Sequence, residues 1–317
     1  MFRRVKSEDN LIMDIDRNLR NNKAVLLTYF RSRANEILGD LALEYSAADY
    51  KKKTSAFNKA IIKSRDNLLD FMYKKARTDG WGNSEILESV LMITYTNDVV
   101  MLESRNSICE YDYMSFSRRV GELWEAFCKH CFNFPLTSIS SFIPPLFSEF
   151  KKNLTTEIAT YIDALNIQIG EKEQLKRYYD KVWSLVTSGE IQLECDLHFT
   201  DGETKYVVDF KSGFGSNEKG NTNRLLLVGS IYQNMESGNY KCLILVRSTD
   251  NNNYLATLQD SGVWEISCGI DTYSKIHLFT GFDIHGWIEK NIDWMSDFTP
   301  LMSDTVTRND LKKYLIW

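Results

Sequence analysis

The sequence predicts an α/β protein in which a helical N-terminal region precedes a central mixed β-sheet flanked by helices. Three observations predict it. Apolar residues recur at helical spacing through the first 110 positions. Near residue 190 the period changes from helical to alternating. A hairpin, a helix and a short buried strand then follow in order. At 317 residues the chain makes one large domain or two of ordinary size. With 43% hydrophobic and 26% charged residues it is a globular composition, which excludes disordered and fibrous classes. Four prolines and 16 glycines are too few for a linker-rich array, and no internal repeat marks a solenoid.

Taken in order, Leu19, Val25, Leu26 and Phe30 open the helical pattern, and Ile37, Leu41 and Leu43 continue it. Segment 54–77 carries Phe57, Ile61, Ile62, Leu68, Leu69 and Met72 as an apolar stripe, with Lys59 and Lys63 on another face. Residues 78–83 form a turn, and Asn83 or Ser84 can cap the next helix. A further helix spans about Ser115 to Phe132. Three prolines and a serine cluster between Pro135 and Pro145 mark the best candidate boundary, and 151–187 is helical again. Strands are expected over 191–199, 206–210, 242–246 and 263–268, with a helix over about 223–236. The last 45 residues read as mostly helical.

Charge and cysteines bound the setting. The net charge is −5, but residues 51–77 hold nine Lys/Arg against two acids, a local +7. Such segregation can place a positive field on an acidic protein, although a solvated helix face is the simpler reading. The six cysteines form no zinc pattern, and Cys128-x-x-Cys131 lies in a helix where both pack. The N-terminus has no apolar leader and no apolar stretch can span a bilayer, so a reducing cytoplasm is expected and a membrane is not.

Chemistry concentrates between Glu194 and Gly213. On a strand, Asp209 and Lys211 project from one face while Val208 and Phe210 face the other way, into a core. An acid and a lysine ending a hydrophobic strand are costly unless paired or used. If Asp201–Thr204 form a four-residue loop, Asp196 lies opposite Asp209; if only Asp201-Gly202 form the turn, Glu194 does. Either pairing brings two carboxylates together, and hard oxygens without His or Cys suit Mg²⁺, with Mn²⁺ as a substitute. Of five D/E-x-K triplets, only this one ends a β-run and opens into a Gly-rich loop. That loop and its exit, with Ser212, Ser216, Asn217, Lys219, Asn221, Asn223 and Arg224, offer donors suited to phosphates and base edges.

The arrangement of Asp196, Asp209 and Lys211 resembles the PD-(D/E)xK nuclease superfamily, most of all its type II restriction endonucleases. The motif's proline is missing, and Cys195 stands in its place. Gly121-Glu122-Leu-Trp124-Glu125 fits the upstream helix pattern of that superfamily, with Glu125 in the acidic role and Glu122 one turn away as the alternative. The resemblance covers about 115–250 and implies a restriction-endonuclease-like core. It further implies that Asp196, Asp209 and Glu125 hold metal and that Lys211 positions the attacking water. The expected activity is sequence-specific, Mg²⁺-dependent cleavage of double-stranded DNA leaving 5′-phosphates. A homodimer and a separate cognate DNA methyltransferase are the expected partners. Residues 1–110 then form a helical clamp or dimerisation region in which Lys59 and Lys63 contact DNA, 111–270 the catalytic core, and 271–317 a C-terminal extension. Alternatives are a repair, RNA-cleaving or ligand-activated nuclease of the same fold, or a non-catalytic nucleic-acid-binding module.

Overall fold

A computed structural model describes residues 22–186, 191–215, 219–235 and 239–317. Among them are twelve α-helices and one five-stranded sheet, so the chain is α/β. It divides into two compact units. One comprises residues up to Ser138 together with Gly269–Trp317; the other is Ile139–Cys268. The break at Ser138 falls inside the proline and serine segment that the sequence marks. Residues 111–138, grouped with the core in the sequence reading, cluster with the helical unit, and so does the 271–317 extension.

The helical unit is built on α3 (Asn83–Ile108), packed by α1 (Lys23–Glu44), α2 (Tyr50–Asp79) and α4 (Tyr113–Asn133). Almost every side chain of α3 from Leu87 to Leu102 is buried, as expected of a helix that is apolar on all sides. Helix α2 stops at Gly80, whose φ of 66° is the left-handed conformation glycine adopts freely. Neither Asn83 nor Ser84 caps α3. The cap is Gly82, whose N–H donates to Glu85 at 3.0 Å, while the Asn83 amide donates to the Pro135 carbonyl at 2.8 Å. Helix α4 is capped by Asp112, which accepts from the Ser115 N–H at 2.8 Å.

The C-terminal segment folds as α9 (Ile270–Thr280), α10 (Ile284–Asn291), α11 (Trp294–Asp297) and α12 (Pro300–Arg308). Polar contacts tie it to the N-terminal helices. Asp297 accepts from Tyr95 at 2.6 Å and from Lys23 at 2.8 Å, and Glu103 bridges Arg31 and the Thr299 N–H. These anchors explain why the 130 intervening residues do not separate the two ends of this unit. No described helix is long and apolar enough to cross a membrane.

The sheet unit has strand order β1 (Ser140–Ser141), β2 (Leu197–Thr200), β3 (Lys205–Lys211), β4 (Tyr240–Val246), β5 (Trp264–Cys268). The first two pairings are antiparallel and the last two parallel, so the sheet is mixed. Helix α7 (Lys219–Gln233) makes the crossover from β3 to β4, and α8 (Asn253–Asp260) that from β4 to β5. Helices α5 (Phe147–Ala164) and α6 (Ile169–Val186) replace the single expected helical stretch. The core lies between α7 and the sheet: Leu225, Val228 and Tyr232 pack on Val207, Cys242, Ile244 and Val246. Gly229 lies where α7 meets β5, and a Cβ there would overlap Val263 and the Trp264 indole, whose Nε1 donates to the Leu225 carbonyl at 2.9 Å.

Three local readings change. The strand expected over 191–199 pairs only from Leu197; residues 191–195 approach it as an irregular segment. Helix α7 begins at Lys219, so Lys219, Asn221 and Asn223 stand on its first turns and not in a loop. Both faces of β3 are buried, so Asp209 shares its face with Val207 beneath α7 and does not point to solvent.

Candidate active site

Turn chemistry fixes the hairpin register. Asp201 Oδ1 accepts from the Glu203 and Thr204 N–H groups at 3.0 and 2.8 Å, which holds its carboxyl below the usual carboxylate range. Gly202 supplies a φ of 100°, and the Asp201 N–H donates to the Thr204 carbonyl at 3.3 Å. Thr200 therefore pairs with Lys205 and Leu197 with Val208, and the same register carried one step places Asp196 opposite Asp209. This is the four-residue-loop alternative. Glu194 is exposed, beside a cleft of about 290 Å³ that it lines with Ile143, Leu146 and Leu193.

Asp196 continues the ladder with its side chain. Its Oδ2 accepts from the Phe210 N–H at 2.8 Å, just where backbone pairing ends. Asp209 lies one residue before Phe210 on β3, and its side chain is only 2% exposed. Each of its oxygens meets a different cation. Oδ1 accepts from Lys211 Nζ, and Oδ2 accepts from Arg224 Nη2 at 3.0 Å. Lys211 Nζ is held a second time by the Phe210 carbonyl at 3.1 Å. Arg224 arrives from α7 because that helix packs on the Asp209 face of the sheet, and its neighbour Leu225 is fully buried there.

The electrostatics follow from this crowding. Burial pushes the Asp209 carboxyl above the usual carboxylate range, Lys211 pulls it down, and the adjacent Asp196 pushes it up again. Two acids and two bases leave the cluster formally neutral. Cys195, at the position of the missing proline, feels all four groups. Burial pushes its thiol up to about 12, so it is an uncharged thiol at neutral pH and not a nucleophile.

The structure thus brings together Asp196, Asp209, Lys211 and Arg224. Glu125 belongs to α4 of the helical unit, where it accepts from Lys129 at 2.7 Å; Glu122 pairs with Arg119 at 2.9 Å. Lys59 and Lys63 are exposed on α2 of that same unit. The carbonyl of Ser212 accepts from the Ser248 N–H at 3.2 Å, and Phe214 and Gly215 are latched to Asn251 and Asn252. Ser216 and Asn217 lie outside the described residues. Lys219 and Asn223 are exposed at the start of α7.

Two features escape sequence reasoning. Arg224 as the partner of Asp209 has no local signal, since fifteen residues and a helix–sheet contact separate them. Asp98 is 1% exposed within α3, and neither carboxylate oxygen has a hydrogen-bond partner among the described residues. A lone acid inside the uncharged run from Val90 to Leu102 is the signal that could have found it. Burial pushes Asp98 up to about 7, against the charges of Arg65 and Arg119.

The donor set can be tested against a divalent ion. Among the described residues no three His, Cys, Asp or Glu side chains form a metal cage. Mg²⁺ does not need one, because it keeps several waters and binds through one or two carboxylates plus substrate phosphates. Two acids brought opposite each other, with only oxygen ligands, fit that requirement. Compared with protein-family models, with curated proteins and with solved structures, the chain shows no match.

Proposed function

We propose that the sheet unit is a Mg²⁺-dependent nuclease that hydrolyses double-stranded DNA at specific sequences, in the manner of a type II restriction endonuclease. One observation carries the reading: Asp196 and Asp209 oppose each other across the β2–β3 ladder, with Lys211 on the same face as Asp209. In this reading Asp196 and Asp209 hold the metal. When bound, the ion polarises the phosphoryl oxygen and lowers the pKa of water. Lys211, fixed by Asp209 and the Phe210 carbonyl, orients the water that attacks phosphorus. The bond to the 3′ oxygen breaks, that oxygen takes a proton, and a 5′-phosphate remains. Lys219, Asn221 and Asn223 stand nearby on α7 as contacts to the DNA backbone or bases. A homodimer matching a palindromic site and a cognate methyltransferase belong to the same proposal.

The test is incubation with long duplex DNAs of varied sequence, with Mg²⁺ and with EDTA. Discrete, metal-dependent fragments support the reading, and Asp209→Asn or Lys211→Ala abolishes them while the protein stays folded. Cleavage retained in either variant overturns it. A smear selects a nuclease without restriction-type specificity, and RNA cleavage alone selects another member of the same chemistry. The Asp196–Asp209–Lys211–Arg224 cluster also favours a second reading, because it is charge-balanced as it stands. In that reading the unit binds nucleic acid without cutting it. DNA binding with no cleavage under any divalent ion selects this alternative.

A further inference from the structure

We propose that Arg224 is an exchangeable counter-ion: a divalent cation displaces it from Asp209, and the freed guanidinium then grips a phosphate of the DNA beside the cut. The proposal rests on Asp209 being the metal-binding acid. It starts from an asymmetry between the two cations on that carboxylate. Lys211 is 17% exposed and doubly anchored, to Asp209 Oδ1 and to the Phe210 carbonyl. Arg224 is 41% exposed, and its contact beyond Asp209 is a long one, 3.4 Å from Nε to Asn221 Oδ1. It stands near the start of α7 on a long stem, so its head can swing outward while the helix backbone stays in place.

Charge supplies the reason for the swing. Asp196, Asp209, Lys211 and Arg224 together are neutral, so a dication added to the intact cluster enters against two fixed positive charges. Withdrawal of Arg224 opens Asp209 Oδ2 to the metal and removes one of those charges. The metal and an incoming phosphodiester then restore balance together. Arginine suits the second half of the exchange, because its planar fork matches two phosphate oxygens as well as it matches a carboxylate. The same side chain therefore weakens metal binding before DNA arrives and strengthens DNA binding once the metal is in place. This couples the two ligands and weakens metal binding at Asp209 while no DNA is present.

The experiment compares wild type, Arg224→Gln, Arg224→Lys and Asp209→Asn, all checked for folding by thermal melting. Mn²⁺ affinity is measured without DNA by calorimetry, and duplex affinity is measured across a salt series with Ca²⁺. Arg224→Gln is expected to bind Mn²⁺ about tenfold more tightly than wild type. It should bind DNA more weakly, with a salt slope smaller by about one. Arg224→Lys, which keeps the charge and loses the fork, should keep wild-type Mn²⁺ affinity and still lose DNA affinity. Unchanged or weaker Mn²⁺ binding in Arg224→Gln, with binding abolished in Asp209→Asn, overturns the exchange and leaves the nuclease reading standing. Mn²⁺ binding unaffected by Asp209→Asn removes the metal from this site and overturns both.

Discussion

Asp209 in the sheet unit and Asp98 in the helical unit are equally buried, each 1% exposed, yet their surroundings differ completely. Each oxygen of Asp209 meets its own cation, while neither oxygen of Asp98 has a partner among the described residues. Two arginines lie near Asp98, but Arg65 pairs with Asp66 and Arg119 with Glu122, both toward the surface. A buried carboxylate is tolerated only when it is compensated or neutralised. Asp209 takes the first course, with a cation on each oxygen. Asp98 takes the second, with a pKa pushed up to about 7, so it holds its proton through mildly acidic conditions. Burial alone therefore does not set how a carboxylate is accommodated; the charges brought to it do.

The contrast predicts effects of opposite sign. The largest is on Lys211→Ala, which leaves Asp209 Oδ1 uncompensated. It should destabilise the sheet unit by about 3 kcal/mol and, on the proposed function, lower cleavage more than a thousandfold. Denaturant melts and single-turnover assays check the two parts. A stable, active Lys211→Ala variant would place Asp209 in the same category as Asp98.

Asp98→Asn should act the other way. Between about pH 4 and 7 the folded protein keeps a proton on Asp98 that the unfolded chain has released, so stability falls as pH rises through this window. Above pH 7 the loss is complete, about 4 kcal/mol. The variant should remove that slope and leave DNA cleavage unaltered. His130 supplies a counter-slope in the same unit. Burial holds it near 4, so it stays neutral when folded while the unfolded ring is protonated below 6.5, and stability rises with pH across that interval. Because the ring keeps some solvent contact, about 2 kcal/mol is expected from it. His130→Gln should therefore steepen the fall that Asp98→Asn abolishes. Denaturation curves at several pH values read both, and parallel shifts independent of pH in either variant would sink that assignment.

Smaller effects sharpen the sheet side of the comparison. Arg224 reaches Asp209 because α7 packs closely on the sheet at Gly229. A Gly229→Ala methyl meets Val263 and Trp264, and it should cost about 1–3 kcal/mol. It should also weaken the Arg224–Asp209 contact, seen as tighter Mn²⁺ binding without DNA. The smallest effect is on the helical unit's exposed lysines. Reversing Lys59 and Lys63 to Glu should weaken DNA binding and lower its salt slope by about two. An unchanged slope assigns that face to solvent.

What sequence determined by itself was local and periodic. Helical spacing, the change of period near 190, the D/E-x-K strand and the Gly80 and Gly202 turns all depend on neighbours a few residues apart. Those neighbours impose the same backbone geometry wherever the segment ends up. The hairpin was legible but its register was not, because Asp201-Gly202 serves two loop lengths; the Asp201 side chain closing on the Glu203 and Thr204 N–H groups selected one. The start of α7 was missed because Gly220, Asn221 and Asn223 read locally as loop, while burial of Thr222 and Leu225 against the sheet extends the helix through them. Tertiary structure alone decided that the C-terminal helices join the N-terminal ones, that Arg224 compensates Asp209, and that Asp98 has no hydrogen-bond partner among the described residues. The physical reason is common to all three. A buried charge or helix face is stabilised by whatever packing brings within a few ångströms, and that partner is set by the fold, not by distance along the chain.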